Sequence, residues 1–483
     1  MFKPPVRSRD RSLPCAALLL GSALTIAGCA AFPKPVRQAA LRTPQSFATA
    51  ESFTAPQADW PADRWWRRYG DPQLDALIEE ALRDAPDMAA AAARLRAAEA
   101  SAQVARAPLL PKLDGSGRAT VDKQSYNDLM PAFATPRGWQ DSGRLALDFG
   151  WELDFWGRNR AALAAAISER EASRADLAAA RLTLAAAIGS AYAELARLHA
   201  AHDAAEKSVA VRTQTAALFV DRFTHGLETR GGVREADARR AASEANLLAL
   251  EEQMGLTRQS LAALLGAGPD RALTIARPGV ALDHGFGLPA ALAADLIGRR
   301  PDVVAARLQA EAAAGRVAER RAAFYPNVNL SALIGVQSLG LDVLADSGSV
   351  FGSVGPAVSL PIFTGGRLRG ELKGAEARYA EAVARYDGAL TQALKDVADA
   401  VLSQRALAGQ LQKAAEAVDA AAEAHRVASD RYRGGLASYL EVLSAEDALL
   451  ENVRALTDLR SRAFALDVAL MRALGGGYET PKA

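Results

Sequence analysis

Disulfide chemistry and a bulky aromatic core are both out of reach of this chain. Aromatic residues fill 6% of its 483 positions, and only two cysteines occur, Cys15 and Cys29. Cys15 lies in a leader read below as removed, so Cys29 has no internal partner and packing alone must hold the fold. Half of the residues are hydrophobic, largely alanine. Such a composition favours close-packed helices. Among five histidines there is no His-Glu-x-x-His, and no glycine-rich phosphate loop or nucleophile constellation accompanies them, so the chain is not expected to be an enzyme. His199 and His202 lie three apart on one predicted helix. Without a nearby carboxylate or cysteine they read as a surface pair, so no metal and no cofactor are expected. The net charge of +1 carries no basic footprint for nucleic acid.

Proline is missing from two long stretches, between Pro136 and Pro269 and between Pro361 and Pro481. Proline costs about 3 kcal/mol inside a helix, and both stretches are rich in Ala, Leu, Arg and Glu, the best helix formers. Glycines interrupt them at Gly226, Gly231-Gly232 and Gly434-Gly435. Each stretch therefore predicts a helical hairpin: Asn159 to His225 with Leu227 to Leu265, and Arg367 to Arg433 with Leu436 to Leu474. A first arm of about 67 residues spans roughly 100 Å, too long for a compact domain. Apolar residues recur at steps of three and four, as in Ile188, Tyr192, Leu195 and in Leu390, Leu394, Val397, Val401. That is coiled-coil-like packing.

Upstream of each hairpin the period changes to two. Leu145, Leu147, Phe149, Trp151, Leu153 and Phe155 alternate with Ala146, Asp148, Gly150, Glu152 and Asp154. One face is apolar, the other carries three carboxylates, and the length suits a transmembrane strand with lipid outside and water inside. Weaker alternation runs from Leu113 to Val121, from Val328 to Val336 and from Val354 to Ile362. Four strands cannot close a barrel, and no open edge survives in lipid. Three copies would supply about 12 strands, within the range of membrane barrels.

The N-terminus reads as an export signal. Lys3, Arg7, Arg9 and Arg11 precede an apolar run from Cys15 to Ile26, too short to span a bilayer. The run ends in Ile26-Ala27-Gly28-Cys29, which resembles a bacterial lipobox. That resemblance implies cleavage after residue 28, a diacylglycerol and an N-acyl chain on Cys29, and, with Ala30 following, retention at the outer membrane. Removing the leader takes away those four basic residues and Asp10, leaving a mature chain near −2.

The two halves are copies. Pro86-Asp87 precedes Pro111 by 25 residues, and Pro301-Asp302 precedes Pro326 by 25. A short helix, a strand pair, a Gly-Arg junction (Gly157-Arg158, Gly366-Arg367), a long helix, a Gly-Leu turn (Gly226-Leu227, Gly435-Leu436) and another long helix follow in both. The expected division is 1–28 signal, 29–85 lipidated and equatorial segment, and 86–265 first repeat, with strands about 112–156 and hairpin 159–265. A linker at 266–300, a second repeat at 301–474, with strands about 327–362 and hairpin 367–474, and a tail at 475–483 complete it.

Arg300-Pro301-Asp302-Val303, Ala323-Phe324-Tyr325-Pro326-Asn327, Leu360-Pro361-Ile362-Phe363-Thr364-Gly365-Gly366-Arg367, Arg431-Tyr432-Arg433-Gly434-Gly435-Leu436 and Leu474-Gly475-Gly476-Gly477 together resemble the outer membrane efflux protein family. The lipidated start is similar to its lipoprotein branch, the nodulation-type factors serving resistance-nodulation-division pumps. The resemblance implies a mixed α+β fold: a homotrimeric 12-stranded outer-membrane β-barrel continued by a periplasmic α-helical barrel with a mixed equatorial belt. It also implies a passive exit duct for small molecules, fed by an inner-membrane transporter through a periplasmic adaptor and opened by an iris-like movement. A lipid-anchored periplasmic adaptor is the competing reading, but adaptors carry one hairpin and no lipid-facing strands.

The same resemblance points to Leu440, Glu441 and Ser444, early in the last helix, as the periplasmic gate. It assigns Gly226, Leu227, Gly435 and Leu436 to helix tips that meet the adaptor, and Tyr432 to a closed-state contact. Two departures matter. Some members carry a second acid where Ser444 stands, and a Thr-Asp pair where Gly231-Gly232 stand, its Asp bonding the tyrosine. Glu235 and Asp237 are the neighbouring acids that would substitute for it.

Overall fold

The computed structural model describes residues 39–43, 46–127, 133–280, 287–289 and 292–480. The signal and Cys29 lie outside them. The chain forms two units. Of the described residues, the first comprises those within 39–40, 100–168 and 310–382, and the second those within 41–99, 169–309 and 383–480.

The first unit is built on one antiparallel sheet in chain order: β1 (Lys112–Asp122), β2 (Gln140–Leu153), β3 (Asn327–Leu339) and β4 (Val350–Ser359). Each repeat contributes one hairpin, and the two hairpins join through β2 and β3, where Leu147 faces Ile334 and Phe149 faces Ala332. Because partners across a ladder share a face, Leu113, Phe149, Ala332 and Val354 form one apolar row and Leu145, Val336 and Val350 another. Leu145, Leu147, Val350, Val354 and Val358 are solvent-exposed within a single chain. β1 and β4 remain open edges.

Two strand expectations are corrected. β4 ends at Ser359, so Leu360, Pro361 and Ile362 lie beyond it; Ser359 faces Asn327, the first residue of β3, which leaves the following residues no ladder partner. Asp154 is not on the carboxylate face of β2. The strand stops at Leu153, and Asp154 instead accepts bonds from the amides of Asn159 (3.1 Å) and Arg160 (2.9 Å), satisfying donors at the start of the next helix. Glu152 pairs with Arg158 at 3.1 Å.

Four long helices follow the proline gaps: α3 (Arg158–Thr224), α4 (Arg230–Leu264), α7 (Arg367–Arg433) and α8 (Tyr439–Ala473). The first arms are 67 residues each and the second arms 35 each, so the two copies have kept equal length. Both first arms end alike. Gly226 (φ 68°) and Gly435 (φ 73°) take left-handed backbone, and the amides of Leu227 and Leu436 reach back to the carbonyls of Arg222 and Arg431 at 2.8 Å. Glycine adopts that conformation without a Cβ penalty. The shorter helices are α1 (Pro72–Asp84), α2 (Pro86–Arg106), α5 (Leu292–Arg299) and α6 (Pro301–Ala322). Among the described residues no helix is long and apolar enough to cross a membrane.

The main core lies in the second unit. Trp66, Tyr69, Leu74, Leu77 and Ile78 from the N-terminal segment pack with Ile188, Tyr192 and Leu195 of α3, Leu261 of α4, Leu390 and Val397 of α7, and Val468 of α8. Each such fully buried aliphatic side chain contributes about 1.5–3 kcal/mol. Ile275, Leu288 and Leu296 join the same cluster. Asp71 caps α1 and is buried. Its carboxylate accepts from the amides of Gln73 (2.9 Å) and Gly279 (2.8 Å) and from the Tyr192 hydroxyl (2.7 Å), joining three segments at one group.

Candidate functional site

In the second unit the Gly-Leu turns bring the ends of α3 and α7 together with the starts of α4 and α8. A small cluster forms there from Ala216, Phe219, Ala236, Tyr432, Val442 and Leu443. Tyr432 is 3% exposed, with Phe219 stacked at 5.7 Å and the Arg222 guanidinium 4.3 Å from its ring centre. The Tyr432 hydroxyl donates to Oε2 of Glu228 at 2.8 Å, and the other carboxylate oxygen accepts from the amide of Thr229 at 2.7 Å. Burial first, and then this bond to Glu228, push the phenol up to about 12.

The acid that meets Tyr432 is therefore neither of the two expected. Glu235 pairs with Arg239 of its own helix at 3.1 Å, and Asp237 with Arg234 (3.3 Å) and Arg240 (3.7 Å). Glu228, inside the turn itself, takes the place. Gly232 leaves room for it: a Cβ there would stand 2.8 Å from Glu228 Oε1, and the end of that side chain would have to shift. Sequence reasoning missed Glu228 because a lone glutamate after a turn has no periodic signature. The bare position at 232 was the available clue.

Leu440, Glu441 and Ser444 are exposed on α8, whereas Val442 and Leu443 are buried. The three thus share the side turned away from the chain's own packing, as i, i+1 and i+4 residues of one helix do. Glu441 is not a free carboxylate. It closes a capping box with Ser438, accepting from the Ser438 amide at 3.2 Å, and it pairs with Arg431 at 3.1 Å. The tips are open: Leu227 is 64% and Leu436 74% exposed, although leucine normally seeks cover.

Further along α8 two acids tie it to α3 and α4. Glu446, 1% exposed, accepts from the Thr215 hydroxyl at 2.7 Å. Asp447 pairs with Arg212 at 2.7 Å and makes a close contact with Arg239. Burial raises the Asp447 carboxyl, but the bonds from Arg239 and Arg212 outweigh it and hold the group below the usual range.

His199 and His202 are not brought to one ligand. His199 lies beside Arg258 at 3.4 Å, and burial together with that cation lowers its pKa. The expectation that no carboxylate stands near His202 is corrected: Glu206, one turn on, and Glu251 of the facing helix lie 3.9 and 3.6 Å from its ring nitrogens. The adjoining Asp203 is held by two bonds from Arg277.

A strand hairpin with one apolar face, present twice in a chain whose described helices are none of them long and apolar enough to cross a bilayer, marks a membrane-strand protein that also carries long paired helices. The outer membrane efflux protein model matches residues 77–267 and 292–476. The chain belongs to that family. It is 31% identical over 480 residues to the multidrug resistance outer membrane protein MdtP of Escherichia coli K12, covering 98% of each chain. With the fusaric acid resistance protein FusA of Burkholderia cepacia it shares 36% over 371 residues, 75% of this chain and 69% of that one. The crystal structure of the outer membrane protein VceC from Vibrio cholerae superposes with a TM-score of 0.83 at 48% identity, over 87% of this chain and all of that one. The protein is an outer-membrane efflux channel.

Proposed function

We propose that three copies of this chain close a 12-stranded barrel and form the passive exit duct of a tripartite pump. The observation that carries this reading is the pair of unmet edges, β1 and β4, on a sheet with an apolar face. An unpaired backbone group in hydrocarbon costs several kcal/mol, so β4 of one copy must meet β1 of the next. A resistance-nodulation-division transporter in the inner membrane supplies energy and cargo, a periplasmic adaptor links it to the duct, and the duct performs no catalysis. The exposed tips Leu227 and Leu436 are the adaptor's contact points. The mouth is the ring of Leu440, Glu441 and Ser444 from three copies. Tyr432 holds it shut through Glu228, and iris-like movement of the helices opens it. Acyl chains on Cys29 add a lipid anchor in the outer membrane; no other cofactor is required.

Cysteines at Ala119 of β1 and Val354 of β4, both on the apolar face, test the closure. A bis-maleimide added to outer membranes is expected to yield covalent trimers that conduct ions in planar bilayers. Monomers alone, or protein released as a soluble species once the lipid is removed, would sink the duct.

A further inference from the structure

On the face of the sheet opposite the apolar rows, charge is arranged in bands. Register places Asp114 directly across from Asp148, and Arg118 directly across from Arg144. Side chains so paired stand about 4.5–5.5 Å apart at Cβ, and like charges there are destabilising. Offsetting the two strands' charges would have removed both repulsions, yet the sheet keeps acid against acid and base against base. The bands lie four residues apart along β1, roughly 13 Å at strand rise.

The environments of the two bands differ. Asp114 has a cation at hand, Lys112 at 3.1 Å. Among the described residues Arg118 and Arg144 have no carboxylate within ion-pair distance. Arg144 is instead held by neutral groups, its guanidinium 4.8 Å from the Phe351 ring centre and 3.4 Å from the Gln337 side-chain oxygen. Stacking on Phe351 fixes the plane of the fork while leaving its donors available. Both arginines are exposed and lie toward the end of the sheet that carries the β1–β2 and β3–β4 loops, whereas the aspartates lie toward the end where β2 leads into α3.

From this arrangement we infer that the barrel lumen carries an anion-binding ring, Arg118 and Arg144 repeated by three copies, which engages carboxylate- or phosphate-bearing solutes at the loop end. The inference rests on the closed trimeric barrel proposed above. Six guanidiniums in one ring form bidentate bonds with such groups, while the aspartate ring nearer the helices draws cations. The two rings act in series with opposite sign, so the preference of the duct is set by which one the solute meets in the narrower part.

Purified full-length trimer is titrated with tripolyphosphate by calorimetry and then studied in planar bilayers under a potassium chloride gradient. The double variant Arg118→Gln with Arg144→Gln keeps the rows filled. It is expected to weaken tripolyphosphate binding at least about tenfold and to shift the reversal potential toward cations. Both effects should fade in 1 M salt, where screening falls to about 3 Å. Asp114→Asn with Asp148→Asn is expected to shift the potential the other way, which mere loosening of the barrel would not do. Tripolyphosphate binding and reversal potential unchanged by the arginine pair would overturn the inference alone. Wild-type protein that forms neither trimers nor pores would overturn the barrel reading, and the ring with it.

Discussion

Tyr432 and Glu228 lie 204 residues apart in sequence and meet at 2.8 Å, hydroxyl to carboxylate, across the turn that joins α3 to α4. The bond links the second repeat to the first at the level of the candidate mouth. A hydrogen bond to a charged acceptor contributes about 1.5–3 kcal/mol. Glu228→Gln and Tyr432→Phe should each raise the open probability of single channels in bilayers several-fold. The double variant should add little to either, since both remove one link. Wild-type gating in both single variants would refute the latch.

Alkali should release the same contact. The folded Tyr432 phenol is pushed up to about 12 by burial and by Glu228, above its ordinary value near 10. A raised pKa means that the protonated, hydrogen-bonded form is favoured by the folded packing. Its contribution is complete below pH 10 and lost as pH rises toward 12. Conductance should climb across that window in wild type and stay flat in Tyr432→Phe.

Glu441 has three duties at once: helix cap, partner of Arg431, and candidate gate acid. Glu441→Ala should lower cation preference and reshape conductance, with a cap loss of about 1 kcal/mol. Arg431→Gln should do the reverse to selectivity, because it removes the compensating cation and leaves the carboxylate. Reversal potentials for the two variants that move in the same direction would remove Glu441 from the gate.

Asp71 should matter for stability alone. Asp71→Ala leaves the buried Tyr192 hydroxyl without its acceptor, at a cost of about 1–3 kcal/mol, and removes the bond from the exposed Gly279 amide. A fall of several degrees in the thermal midpoint by circular dichroism, with unchanged single-channel current, is the expected pair of results.

Acylation is tested separately. Cys29→Ser should abolish incorporation of radiolabelled fatty acid, while trimers still form because the strands, not the lipid, close the barrel. Labelling that persists in the variant would rule out Cys29 as the acceptor.

Much of the architecture was legible because single residues forbid alternatives. Missing proline and well-placed glycine marked the long helices and their turns, and the period-two run around Phe149 exposed the strand that pairs with β3. Legibility failed where a residue's role depends on distant chain. Asp154 continues the alternation perfectly yet leaves the strand to cap a helix, since the capping demand of α3 outweighs one more ladder position. Glu235 and Asp237 lie as close in sequence to position 232 as Glu228 does, to within a residue, but their own helix supplies arginines one turn away. The gate trio was reached through family resemblance, and its exposure on α8 follows from helical geometry; the Arg431 contact to Glu441 depended on how the turn folds.

The empty position at Gly232 also constrains its neighbour. A Cβ there would stand 2.8 Å from Glu228 Oε1, so the end of that side chain would have to swing aside. A side chain missing at one position thus leaves room for an acid four residues away to sit against Tyr432.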